Sequence, residues 1–229
     1  SPGWTGARCQ ALDLEPVSRL EMGFNPQLHG ANMSSWGGSV IQVAGKWHMW
    51  CSLLANHCGI GSYLVNSGVV HAVSQSDLPT GPYAQADSVL PPFAHEPVVS
   101  VAPTGELVLA AVSGPLGAFH SCQCTDGTTS RGCIACNNSC HPQYKTLAIS
   151  ATGAPGGPWE KRMMFPNAAD NNGENPSIWI ARDGSAYGMR RGAHVAAFAS
   201  DWRNASTWKP NPWPSFVSSQ PDVEDPFIY

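Results

Sequence analysis

Glu174-Asn175-Pro176-Ser177-Ile178-Trp179-Ile180-Ala181-Arg182-Asp183-Gly184-Ser185-Ala186-Tyr187-Gly188-Met189-Arg190-Arg191-Gly192 decides the fold. It reads as a strand, a tight Asp-Gly turn and a second strand, with a carboxylate two residues ahead of the opening proline. Versions of it occur elsewhere. His95-Glu96-Pro97-Val98-Val99 leads through Thr104-Gly105 to Glu106-Leu107-Val108-Leu109-Ala110. Gly38-Ser39-Val40-Ile41 leads through Ala44-Gly45 to Lys46-Trp47-His48-Met49-Trp50, and Glu224-Asp225-Pro226-Phe227-Ile228-Tyr229 begins a fourth copy.

The units also close alike. Val69-Val70-His71-Ala72-Val73-Ser74 is followed by Gly81-Pro82-Tyr83, and Leu147-Ala148-Ile149-Ser150 by Gly156-Gly157-Pro158-Trp159. The third unit has Phe198-Ala199-Ser200 and then Ser206-Thr207-Trp208. Opening positions Gly38, Pro97, Pro176 and Pro226 lie 59, 79 and 50 residues apart, with three or four strand candidates in each interval. Units of about 40 to 50 residues with four strands are propeller blades, and longer intervals imply insertions. The fold class expected is therefore all-β, a β-propeller of which this chain carries about three blades and the start of a fourth. Proline has no N–H and suits the first residue of a strand. It also favours an extended residue before it. Residues just ahead of each inner strand then meet at one mouth of the central channel.

Composition agrees with many short strands. The 229 residues include 23 glycines, 20 prolines and nine tryptophans, and only 12% are charged. A formal charge of −4 offers no basic patch for nucleic acid. No run of 18 apolar residues is present, so no membrane span is expected. Cysteines at 9, 51, 58, 122, 124, 133, 136 and 140, with sequons at Asn32, Asn137 and Asn204, indicate an extracellular or secretory compartment. Cys51 and Cys58 are close enough in sequence to bridge, although spacing does not fix connectivity. The Cys-rich stretch 120–141 reads as a disulfide-stapled insertion, with a zinc knuckle at Cys133-x-x-Cys136 as its rival. No glycine-rich stretch opens a helix after a strand, and no nucleophile elbow surrounds a serine.

Residues 1–9, Ser-Pro-Gly-Trp-Thr-Gly-Ala-Arg-Cys, resemble the end of an EGF-like module, leaving 10–31 as a linker and 32–229 as the partial propeller. The phrases Glu96-Pro97-Val98-Val99, Glu174-Asn175-Pro176-Ser177-Ile178 and Glu224-Asp225-Pro226-Phe227-Ile228-Tyr229, with the Gly-Pro-aromatic closers, resemble the five-bladed propeller glycoside hydrolases. That superfamily includes arabinanases, levansucrases and invertases; the phrases are most similar to glycoside hydrolase family 43. The resemblance implies a catalytic base, an aspartate, before the first blade. It implies a second aspartate before the second blade, orienting the acid, and a general-acid glutamate in a Glu-x-Pro setting before the third. Glu174 matches the acid. Glu96 occupies the orienting position, one methylene longer than aspartate. Trp36-Gly37-Gly38 occupies the position of the base and has no carboxylate, which leaves Asp225 or Glu224 as the substitutes.

Further expectations attach to the same mouth. Trp36 offers an indole face for stacking on a sugar ring, or packs in the core. His95 pairs with Glu96 to tune the site, Asn175 contacts substrate beside Glu174, and Arg190 or Arg191 holds an acidic sugar or simply ends a strand. Glu174 and the Asp225–Glu224 pair have an alternative role as turn residues. No metal, redox or organic cofactor is expected. The function expected is that of a secreted glycosidase using general acid/base hydrolysis on a poly- or oligosaccharide. The alternative is a non-catalytic carbohydrate-binding or adhesive ectodomain on the same scaffold.

Overall fold

A computed structural model describes residues 4–8, 11–12, 22–24, 34–113, 144–150, 152–163, 175–190 and 194–209. Near the start, β1 (Trp4–Thr5) pairs antiparallel with β2 (Ala11–Leu12). Three four-stranded antiparallel sheets follow. The first is β3 (Ser35–Val43), β4 (Lys46–Leu54), β5 (Ser67–Ser74) and β6 (Tyr83–Leu90). The second is β7 (Ala94–Val101), β8 (Leu107–Ser113), β9 (Tyr144–Ser150) and β10 (Glu160–Met163). The third is β11 (Ser177–Ile180), β12 (Ala186–Arg190), β13 (His194–Ala199) and β14 (Trp208–Lys209). In each, spatial order follows chain order, and the first strands β3, β7 and β11 are neighbours in turn. This is the blade arrangement of a propeller.

The middle blade explains its own sequence. All seven residues of β8, Leu-Val-Leu-Ala-Ala-Val-Ser, are buried, because a neighbour covers each face. Leu107, Leu109 and Ala111 join Trp50, Val69, Val89, Leu90 and Val99 in the seam with the first blade. Val108 and Ala110 point the other way, into a seam with Ile178, Ile180, Ala199, Trp202 and Trp208. A continuous apolar run is thus two alternating faces, each buried Leu or Val contributing about 1.5–3 kcal/mol. On β11 the two faces differ: Ile178 and Ile180 are buried, while on the other face Ser177 is buried and Trp179 is 40% exposed beside Tyr187.

The repeated phrases have a physical basis. Ala102 N–H donates to the Glu106 carbonyl at 2.8 Å and Gly105 N–H to the Ala102 carbonyl at 2.8 Å. Ala181–Ser185 and Gly184–Ala181 repeat both bonds at 2.8 and 3.0 Å. Gly105 (φ 95°) and Gly184 (φ 86°) take the left-handed position that ends each turn. Asp183 Oδ1 accepts from the Ser185 N–H and hydroxyl at 2.9 and 2.6 Å, which is why Asp-Gly marks this turn. In the closers, Ser74 Oγ donates to the Leu78 carbonyl at 3.2 Å and Ser150 Oγ to the Ala154 carbonyl at 2.7 Å. Those same carbonyls accept from Gly81 and Gly157. A serine at the end of the third strand in the first two blades therefore fastens the loop that leads to the fourth.

Two expectations need correction. Cys51 is a free thiol, buried, and pushed up to about 12 by that burial, whereas Cys58 is disulfide-bonded, so the two do not bridge each other. Nor do the residues before Pro97 and Pro176 adopt extended backbone. Glu96 has φ 54° and Asn175 φ 55°, both left-handed. The reason is tertiary: hydrogen bonds from other blades pin their N–H groups, as described next. Pro97 also lies inside β7, at a bulge between His95 and Val98 where the ladder to β8 is interrupted, whereas Pro176 immediately precedes its strand; Pro226 lies outside the described residues.

Candidate functional site

Three blade entrances share one backbone state. Gly37 has φ 56°, Glu96 φ 54° and Asn175 φ 55°. For a residue with a Cβ this region costs about 1–2 kcal/mol and persists only where surrounding contacts hold it. Those contacts are present. Glu96 N–H, freed from the ladder by the bulge, donates to Ser52 Oγ of the first blade at 3.0 Å. The Glu96 carboxylate reaches the third blade, where Oε2 accepts the Asn175 N–H at 2.9 Å. Ser39 Oγ accepts the Val99 N–H at 2.9 Å, and Ser100 Oγ donates to the Ile178 carbonyl at 3.0 Å. Serine hydroxyls and one carboxylate tie together inner strands that have no ladder between them.

The two glycines of the first entrance differ in what a side chain would meet. A Cβ on Gly38 would lie 2.3 Å from the Trp50 carbonyl oxygen at φ 136°, so that position excludes every other residue. A Cβ on Gly37 would meet Glu96 Cα and Cγ at 3.8 and 3.9 Å, ordinary contact distances. Gly37 therefore lies directly against Glu96, and the entrances run Gly37, Glu96, Asn175 around the mouth.

One residue earlier in the first two units an aromatic wall begins. Trp36 stacks on His95 with ring centroids 5.6 Å apart and planes at 26°. Tyr63, from the helical turn Tyr63–Asn66 between β4 and β5, meets both rings edge-on at 5.3 and 5.6 Å. His95 is 2% exposed and Asn175 6%. The Trp36 indole Nε1 is buried with no hydrogen-bond partner among the described residues.

Of the residues expected at this site, Glu96, His95, Trp36 and Asn175 thus come together. Glu174, Asp225, Glu224 and Arg191 lie outside the described residues, as does the stretch 120–141. Sequence reasoning missed Tyr63, which sits in a connection with no repeat counterpart, and Ser52, a strand residue without any motif. The Gly37-Gly38 pair was the available signal for the bare first entrance. Among the described residues no group of three or more His, Cys, Asp or Glu side chains is arranged to hold a metal, and no helix is long and apolar enough to cross a membrane.

No family model and no curated protein matches the chain. Solved structures do. An α-L-arabinofuranosidase variant from Fusarium graminearum, bound to an iminosugar inhibitor, aligns with 85% of this chain and 49% of its own length, at TM-score 0.53 and 12% identity. An α-L-arabinofuranosidase from Lactobacillus brevis aligns with 82% of this chain and 57% of its own, at TM-score 0.53 and 12% identity. A family 117 glycoside hydrolase of Zobellia galactanivorans aligns with 84% and 60%, at TM-score 0.53 and 13% identity. At such identities the likeness is one of fold: the three sheets are arranged as in the propeller glycoside hydrolases. The chain spans about half the length of the first of them.

Proposed function

We propose that the parent protein acts on carbohydrate at the mouth shared by the three blade entrances, as an extracellular glycosidase with Glu174 as general acid. The observation that carries this reading is the bond from Glu96 Oε2 to the Asn175 N–H, which fixes the backbone immediately after Glu174. Glu96 is then a positioning residue rather than a proton donor. Glu174 precedes Asn175 as His95 precedes Glu96 and Trp36 precedes Gly37, so repeat equivalence assigns it to the row that Trp36 and His95 begin. A carboxyl group beside such an aromatic wall has its pKa raised toward neutrality, as an acid requires. Trp36 supplies an apolar face and an N–H for a sugar ring. Asn175 supplies polar contact, Arg191 a cation for an acidic substituent, and Asp225 or Glu224 the base. An inverting mechanism needs that base about 6.5–9.5 Å from the acid.

A second reading is favoured by one feature, the glycine pair at the first entrance. With no carboxylate there, the same mouth binds a sugar without cleaving it, as an adhesive or lectin-like ectodomain would. Residues 1–9 as the end of an EGF-like module, 10–31 as a linker, and the stretch 120–141 as a disulfide-stapled loop fit either reading.

Hydrolysis of aryl glycosides and arabino-oligosaccharides by the full-length protein separates them. The enzyme reading requires turnover of the arabino-oligosaccharides that falls about 10²–10⁴-fold in Glu174→Gln, the cost of losing a general acid. Sugar binding without turnover in the wild type establishes the second reading.

A further inference from the structure

Away from the mouth, the first blade holds two buried histidines in line with a carboxylate at the surface, titratable groups that no part of the proposed chemistry uses. Strand alternation places them. Trp50 and Asp87 lie directly opposite His71 on β4 and β6, and His48, two residues before Trp50, shares their face. His48 Nδ1 lies 2.9 Å from His71 Nε2, and His71 Nδ1 lies 2.9 Å from Asp87 Oδ2. His48 is 9% exposed and His71 3%. The row faces the second blade. Trp50 stacks on His71 at 5.1 Å and meets Trp159 edge-on at 6.1 Å. A Cβ on Gly156 would lie 2.7 Å from Asp87 Oδ2, so the closing loop of the second blade rests on the carboxylate.

We propose that the His48–His71–Asp87 chain is an acid-sensitive latch on the seam between the first two blades. Proton counting gives the mechanism. His71 donates Nδ1–H to Asp87, which leaves its Nε2 to accept the Nδ1–H of His48, so a neutral pair satisfies both bonds. One further proton on His48 Nε2 leaves both bonds intact. A second puts hydrogen on both facing nitrogens, breaks the His–His bond and sets two cations against one carboxylate. Burial lowers both imidazoles from 6.5, and their mutual repulsion lowers His48 further, against the raising effect of the Val43 carbonyl on His48 and of Asp87 on His71. The charged groups facing the pair are Lys46 on β4, which also lowers His48, and Asp87 on β6. Against the row the second blade sets Gly156 and Trp159, neither of which titrates. With folded-state values below the unfolded one, the unfolded chain binds more protons below pH 6.5. The contribution of the latch is full above that pH and is lost as pH falls through the folded values.

Unfolding of the full chain followed from pH 8 to 4.5, in wild type and His48→Gln, tests the latch. Glutamine still donates to His71 Nε2 but takes no proton. Below pH 6.5 the wild-type unfolding constant should rise more steeply than that of the variant, by up to a further tenfold per pH unit, the limit for the one proton that the glutamine cannot take. Equal slopes would overturn the proposal. Should the variant not fold, imidazole NMR of the wild type decides. Two coupled titrations below 6.5 support the latch, and two independent ones at the ordinary value sink it.

Discussion

The two seams of the molecule are built on one geometry from different chemistry. Between the first and second blades the apolar cluster around Trp50, Val89 and Leu109 continues into buried histidines, two stacked rings and a carboxylate. Between the second and third, the apolar cluster around Ile178 and Trp202 ends in an ionic clasp. Arg203 stacks on Trp202 at 4.3 Å and binds the Glu106 carboxylate and, at 2.8 Å, the Thr104 hydroxyl. Arg162 donates to the Arg203 carbonyl. Apolar burial makes both seams; the polar margin decides which condition opens each. The first should respond to pH below 6.5, the second to salt and to stronger acid.

The largest effect expected treats the seams alike. Trp50→Ala and Trp202→Ala each remove a side chain no more than 1% exposed. Each should cost about 3–5 kcal/mol in urea unfolding; a wide gap between them would mean that one seam is loosely packed. Next comes acid. Between pH 6.5 and 5, the opening free energy of β5 amides, from hydrogen exchange corrected for its intrinsic pH dependence, should fall by up to about 1.4 kcal/mol per pH unit for each proton taken up, while that of β12 amides holds. The second seam should fail only in the carboxylate range. Burial pushes Glu106 up, but the Thr104 hydroxyl and the Arg203 guanidinium outweigh it and hold the carboxyl below 4.5. That contribution is present above 4.5 and lost as pH falls through the lowered value. The smallest effect belongs to Arg203→Ala, about 1 kcal/mol at low ionic strength, shrinking as salt is added. An effect unchanged by salt would assign the loss to packing on Trp202 instead.

Most of the fold was legible because repetition is a strong signal. Ser67–Ser74 and Lys46–Ser52 were strands by apolar content, and the serine and Gly-Pro phrases marked the same joints that hydrogen bonds now explain. Local rules failed where tertiary bonds override them. Nothing in Glu96-Pro97 announces a left-handed glutamate, since that state depends on Ser52, 44 residues away. The same holds for the site. Trp36, His95, Glu96 and Asn175 were found by their place in the repeat, whereas Tyr63 and Ser52 carry no pattern. The histidine latch was invisible for a related reason: His48, His71 and Asp87 become neighbours only through strand register.

The account rests on the mouth being a sugar site, whether or not it cleaves. Calorimetric titration of an iminosugar into the full-length protein tests this directly, with Trp36→Ala, Glu96→Gln and, as a control, Trp179→Ala. Trp179 lies on a partly exposed face of the third blade, away from the entrances. The prediction is measurable binding, weakened at least about tenfold (a loss of about 1.4 kcal/mol) by either mouth substitution and unchanged in the control. No binding, or binding that only Trp179→Ala abolishes, would contradict it.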